Sequence, residues 1–268
     1  MLDIEANGRI FTYYEEERTV VRYKDREKSF RKKPIFFGIN AYKEATEKSL
    51  KTRGGIVLAM NGYNSLSSEF CASYGFSPEE YEKICASILA EAIGVLFKKF
   101  PGIDVRLAHG ASNKAVNKAA ISIGRKLKIT QLGFSCPVYM LDAEDDDIPV
   151  YVALNKEACR DAIISASDII LTVNGGKTAF EMDVDAVFKR HKYLILVNAM
   201  PAISYRGDLS ATDEQGNIID AVALWRQKMD HISSITGFSD LDHWDSVKES
   251  VVTAAERIIG DLRLKLRK

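Results

Sequence analysis

From Gly54 onward the chain alternates short apolar runs with segments whose apolar residues recur at helical spacing. The runs Ile56–Met60, Val105–Ala108, Ile129–Phe134, Ile169–Val173 and Tyr193–Val197 have the length of strands. Ile56–Met60 is apolar throughout, as a strand covered on both faces requires. The first intervening helix opens at Ser77-Pro78-Glu79-Glu80, a capping box with Ser77 as N-cap and proline at the first helical position. Tyr81, Ile84, Ile88, Ala92, Val95 and Leu96 continue it, and Pro101-Gly102 ends it. Val116, Ala119, Ala120, Ile123 and Leu127 share one face of a second helix. Lys156–Ser165 and Thr178–His191 predict two more, and a polar loop and two C-terminal helices close the chain. The stretch with Pro137 and Glu144-Asp145-Asp146-Asp147 reads as a looser connection.

Parallel strands need crossover connections, which helices supply. The alternation therefore predicts an α/β domain over residues 54–268, a Rossmann-like parallel sheet with helices on both faces. Residues 1–53 have a different pattern. Ile10–Tyr14 and Thr19–Lys24 are β-branched and aromatic and flank a charged stretch, which predicts a β-hairpin, and Ala41–Lys51 predicts a short polar helix. This segment has too little apolar surface to stand alone and reads as a hairpin and helix appendage packed on the main domain.

Charge narrows the partners. Lys+Arg and Asp+Glu both number 37, so no global field attracts a polyanion, which argues against nonspecific nucleic-acid binding. No segment approaches the roughly 18 apolar residues of a membrane span. The N-terminus lacks a basic start before an apolar run, so the reading is a cytoplasmic protein. Cys71, Cys85, Cys136 and Cys159 are scattered and the four His lack ligand spacing, so neither a disulfide framework, a metal nor a cofactor is expected. Cys136 and Cys159 fall near the strand ends, yet neither is paired in sequence with a histidine. The basic stretch Arg22–Lys33 reads as a charge-protected edge strand and Glu144–Asp147 as a solvated acidic loop. His109 is the histidine to test as a ligand contact.

Ligands of open parallel sheets bind at the carboxyl ends of the strands. Three of those ends carry small, flexible loops: Asn61-Gly62-Tyr63-Asn64-Ser65, His109-Gly110-Ala111-Ser112-Asn113 and Asn174-Gly175-Gly176-Lys177-Thr178. Glycine turns leading into helix N-termini suit phosphate, because the first amides are unpaired and the helix dipole is positive there. Asn61, Tyr63, Asn113 and Asn174 are polar groups able to ring a base and ribose, though Asn is also a routine turn and cap residue.

The third loop resembles a known motif. LOG-type phosphoribohydrolases carry P-G-G-x-G-T-x-x-E after a strand, and here that position reads Val173-Asn174-Gly175-Gly176-Lys177-Thr178-Ala179-Phe180-Glu181. Gly175, Thr178 and Glu181 match; the proline and two glycines are replaced by Val173, Asn174 and Lys177. Ser167-Asp168-Ile169-Ile170 and His109-Gly110-Ala111-Ser112 resemble the family's approach to this strand and its glycine loop, and Arg160 lies near the position of its active-site arginine. The resemblance covers about Gly54 to Pro201 and identifies a divergent member of the wider LOG-like (SLOG) superfamily.

The resemblance implies roles. Gly175, Gly176, Lys177 and Thr178 would cradle a phosphate, with Gly110, Ser112, Asn113, Gly62 and the Asn and Tyr groups above around the rest of a nucleotide-like ligand. Glu181 would stabilise an oxocarbenium-like sugar and orient water, with Arg160 holding the ligand. Two readings stand: a noncatalytic sensor or carrier of a nucleotide or nucleotide-derived phosphorylated ligand, and a hydrolase or transferase acting on the N-glycosidic bond of a nucleoside monophosphate. The replaced glycines favour the first, whereas Thr178, Glu181 and Arg160 favour the second. The family is commonly dimeric, and Phe180, Val184, Val187 and Phe188 offer an apolar face for a homodimer or for packing on the sheet.

Overall fold

A computed structural model describes residues 2–5, 10–14, 18–23, 25–50, 55–197, 199, 210–212, 218–220, 239–241 and 244–266. Strands β1 (Leu2–Glu5), β2 (Ile10–Tyr14), β3 (Arg18–Tyr23) and β4 (Arg26–Phe30) form an antiparallel sheet in that order, β2 and β3 being the expected hairpin. Then come β5 (Ile35–Phe36), α1 (Ile39–Leu50), β6 (Ile56–Gly62), α2 (Ser68–Ser73), α3 (Pro78–Lys99), β7 (Val105–Gly110), α4 (Ala115–Leu127) and β8 (Thr130–Ser135). Short α5 (Pro137–Met140) and β9 (Val150–Val152) lead to α6 (Lys156–Ala166), β10 (Ile169–Val173) and α7 (Lys177–Val184). Helix α7 runs on as a π-helical turn, Asp185–Lys189, before β11 (Tyr193–Val197). Strands β12 (Ser210–Thr212), β13 (Ile218–Asp220) and β14 (Ser239–Leu241) precede helix α8 (Trp244–Leu266). Among the described residues α8 is the one helix after β11; the other expected C-terminal helix falls outside them.

The main sheet is parallel throughout, in the order β14-β11-β10-β6-β7-β8-β9-β5. The five expected strands make its centre, and β5, β9 and β14 extend it at both sides. Strand β6 shows why helices cover both faces. Ile56, Leu58 and Met60 point into a cluster with Ile88 and Leu89 of α3, Val116 and Ala119 of α4 and Val251 of α8. Val57 and Ala59 point the other way, to Ile163 and Ile164 of α6 and Met182 and Val187 of α7. The apolar face of α7 thus packs on the sheet: Val187 is buried there and Phe180 and Val184 pack against the same cluster. The side chain of Phe188 falls outside the described residues. The capping box of α3 forms as its sequence requires, Ser77 accepting from the Glu80 amide and Glu80 from the Ser77 amide.

The acidic run is a surface loop, exposed at Asp145 and Asp147 as expected, but its carboxylates are not idle. The Asp145 carboxylate accepts from the amides of Arg31, Lys32 and Lys33 at 3.0, 2.8 and 3.1 Å. Asp146 bonds the buried ammonium of Lys33, and Arg125 reaches Glu144 and Asp146 at 2.9 and 2.6 Å. Partial burial raises the Asp145 pKa, but the three amides outweigh it and hold the carboxyl below its usual range. Strand β4 is the edge of its sheet with mostly exposed side chains, as expected, and the Arg31–Lys33 turn after it is docked on the acidic run. Val21, Phe30 and Ile35 add an apolar contact, packing with Met140, Val150 and Val152.

Candidate functional site

Strand β6 is the switch point of the sheet. The chain leaves it through α3 toward β7 and β8, whereas β10 and β11 lie on its other side, and crevices form where the order reverses. A cleft of about 440 Å³ opens at the carboxyl ends of β6, β7 and β8, between α6 and the start of α7, a size suited to a small molecule.

Three buried polar devices hold its walls. Tyr81 of α3, fully buried, donates to the Val173 carbonyl at 2.7 Å and accepts from the Tyr63 amide at 3.0 Å, which ties the ends of β10 and β6. Gly62, at φ 154°, is required there, because a Cβ would lie 2.6 Å from both Tyr81 Oη and the Val173 oxygen. Asn117 of α4 accepts from the Gly110 amide at 2.9 Å and donates to Asn64 and Ser112 at 2.9 and 3.0 Å, so one amide sets two loops. A Cβ on Gly110 would overlap it. The third device joins Asn61 of β6 and Thr172 of β10 to Asp183 of α7. Asn61 Nδ2 donates to Asp183 Oδ1 at 2.9 Å and to the Ala179 carbonyl at 3.1 Å, and the Thr172 hydroxyl donates to Asp183 at 2.7 Å.

Most residues singled out in the sequence line the cleft: Asn61, Gly62, Tyr63, Gly110, Ser112, Gly176, Thr178 and Arg160. Others do not. Asn174 is buried at φ 49°, its amide bonded to the Val197 carbonyl at 2.9 Å, and with Gly175 at φ 142° it makes the turn that presents Gly176. Asn113 donates to Glu144 at 2.5 Å and is not in the lining. The side chain of Lys177 falls outside the described residues. Glu181 is also outside the lining, its carboxylate 2.7 Å from Arg160, which reaches Asp185 at 3.3 Å.

His109, expected as a ligand contact, does not line the cleft. It is 1% exposed and points under the sheet end, Nδ1 2.9 Å from the Gly110 carbonyl and Nε2 3.0 Å from the Gln131 side chain. Burial lowers its pKa, and with both ring nitrogens taken up by these contacts it holds a loop, not a ligand. The four cysteines are buried and none is in a disulfide. Cys159 lines the cleft, but burial pushes its thiol well up, and Cys85 is pushed up to about 12, so neither is a thiolate nucleophile.

Sequence reasoning passed over Asn117, Asp183, Lys114, Lys156 and Asp142. A faint signal existed for two of them: Asn117 follows Val116 in a helix of small apolar residues, and Asp183 interrupts Met182 and Val184. Lys114 pairs with Asp142 at 2.9 Å, and the Lys156 ammonium sits 5.4 Å from the Tyr139 ring centre. Among the described residues no group of three or more His, Cys, Asp or Glu is placed to hold a metal ion. No helix among them is long and apolar enough to cross a membrane.

No protein-family model and no curated protein matches the chain. Among solved structures it is similar to the molybdenum cofactor carrier protein of Chlamydomonas reinhardtii, at 13% identity over 75% of this chain and 98% of that one, with a TM-score of 0.47. It is similar also to the molybdenum cofactor binding protein of the phototrophic bacterium Rippkaea orientalis, at 14% identity over 78% of this chain and 99% of that one, with a TM-score of 0.43. At that distance the ligand of this chain has to be read from its own cleft.

Proposed function

We propose that this protein binds a nucleotide, or a phosphorylated ligand derived from one, at the carboxyl ends of its parallel strands, as a divergent SLOG-type sensor or carrier. Helix α7 has Gly176 as its N-cap and so no side-chain cap, and Gly176, Thr178 and Ala179 line the cleft. Its first amides and the positive end of its dipole suit a phosphate. Of the cations lining the cleft, Lys114 is paired with Asp142 and Arg160 with Glu181 and Asp185, which leaves Lys156, over the Tyr139 ring, as the ammonium that adds to the helix amides for an anion.

The observation that carries binding over turnover is the Arg160–Glu181 pair. Cleavage of an N-glycosidic bond needs a carboxylate beside the anomeric carbon, and Glu181 is bonded to Arg160 and lies outside the cleft lining. The hydrolase or transferase reading keeps one support: the pair sits at the rim, since Arg160 lines the cleft. A ligand phosphate that drew Arg160 inward would release Glu181 toward the sugar.

Titration with a panel of nucleoside monophosphates, followed by chromatography for free base, tests both. Saturable binding with no base released in excess protein is the expected result. Base release abolished by Glu181→Ala would make the protein an N-glycosyl hydrolase, and no binding by any member of the panel would refute the reading.

A further inference from the structure

The buried triad of Asn61, Thr172 and Asp183 does more than tie α7 to the sheet. An Asn side chain has one acceptor end and one donor end, and its neighbours decide which way round it sits. Here they leave no choice. Nδ2 faces the Asp183 carboxylate at 2.9 Å and the Ala179 carbonyl at 3.1 Å, both pure acceptors, and the Thr172 oxygen at 3.4 Å. The Thr172 proton is directed to Asp183, at 2.7 Å, so that oxygen also meets Asn61 as an acceptor. Turning the amide would set its oxygen against the Ala179 carbonyl and against the Asp183 oxygen that already accepts from Thr172. Asn61 is 6% exposed, lines the cleft, and no donor among the described residues meets its Oδ1.

We infer that Asn61 Oδ1 is a fixed acceptor at the floor of the cleft that reads a hydroxyl of a phosphorylated sugar, with Asp183 as the positioning residue that fixes its orientation. The inference rests on the phosphate reading of the cleft and adds to it the group next to the phosphate. Proximity selects the sugar over a base. Asn61 is bonded to Ala179, in the first turn of the helix whose N-terminus would hold the phosphate. A donor reaching Asn61 is therefore within about one helical turn, roughly 5 Å, of that anion, the span from a sugar phosphate to a ring hydroxyl.

Calorimetric titration of the full chain with inorganic phosphate, ribose 5-phosphate and its 2-deoxy and 3-deoxy analogues tests this. Ribose 5-phosphate is expected to bind about tenfold more tightly than at least one deoxy analogue, as loss of one hydrogen bond to a buried acceptor implies. Asp183→Asn, which allows the Asn61 amide to turn, should erase that ratio while inorganic phosphate binds as before. Thr172→Val loosens the same carboxylate and should lower the ratio too, which keeps the test decisive if Asp183→Asn fails to fold. Equal affinity for all three sugar phosphates would overturn the inference and leave the phosphate site standing. If neither inorganic phosphate nor any sugar phosphate bound, both would fall together.

Discussion

Replacing Tyr81 with phenylalanine removes one oxygen from a side chain that is fully buried and leaves the volume of the core unchanged. The lost hydroxyl donates to Val173 at 2.7 Å and accepts from Tyr63 at 3.0 Å. A buried hydrogen bond contributes about 1 kcal/mol net, and a group left unmet costs about 1–3 kcal/mol. With two bonds lost and no cavity formed, Tyr81→Phe should cost about 2–3 kcal/mol. For a domain of this size each kcal/mol lowers Tm by about 2–4 °C, so a fall of about 5–10 °C is expected. Differential scanning calorimetry measures it, and amide exchange at Tyr63 to Ser65 should rise in step, because their loop loses its anchor. A fall of less than about 2 °C with unchanged exchange would refute the idea that this hydroxyl joins the two strand ends.

Gly62→Ala should be worse, about 3 kcal/mol or more by chemical denaturation, because its Cβ meets both Tyr81 Oη and the Val173 oxygen at 2.6 Å; a near-neutral variant would contradict that packing. His109 gives a pH dependence. Its native pKa lies below the ordinary 6.5, so the unfolded chain takes up a proton that the native chain refuses, and stability falls as pH drops below 6.5 toward the native value. The difference between urea midpoints at about pH 7.5 and pH 5.5 should shrink in His109→Gln, and an unchanged difference would exclude His109 as its source. Asp145→Ala removes the acceptor of three amides and should raise hydrogen exchange at Arg31 to Lys33 by about tenfold if about 1.4 kcal/mol is lost; protection as in the parent would show that Asp146 and Lys33 hold the turn by themselves.

What could be read in the sequence was local. The capping box at Ser77, the apolar run of β6 and the glycine turn after β10 each declare themselves within a few neighbouring residues, and their order gives the parallel sheet. What escaped was decided at long range. Strand β9 is only Val150–Val152 and is defined by its pairing with β8 and β5. The bonds of Asp145, an exposed residue, could not be foreseen because its partners, the amides of Arg31 to Lys33, belong to a distant segment. The site divides in the same way. Residues at the strand ends such as Asn61 and Gly176 were visible as strand-end chemistry, whereas Asn117 and Asp183 sit in helices whose apolar neighbours say only that the face is buried. Their importance lies in which amide each one orients.

The two-residue strand β5 has a consequence for biogenesis. It pairs Ile35 with Val150 and Phe36 with Tyr151, and the Pro34 carbonyl accepts from the Val150 amide at 2.8 Å. During synthesis it leaves the ribosome long before its partner exists, so one margin of the sheet is completed by a strand made early that can dock only once Val150–Val152 has been made. Until then, and permanently in any chain begun after residue 53, the outer rim of Val150–Val152 is bare. Unpaired backbone beside apolar side chains is an invitation to pair with another copy. With β5 in place the margin ends in a strand of two residues, which leaves a second copy little edge to pair with.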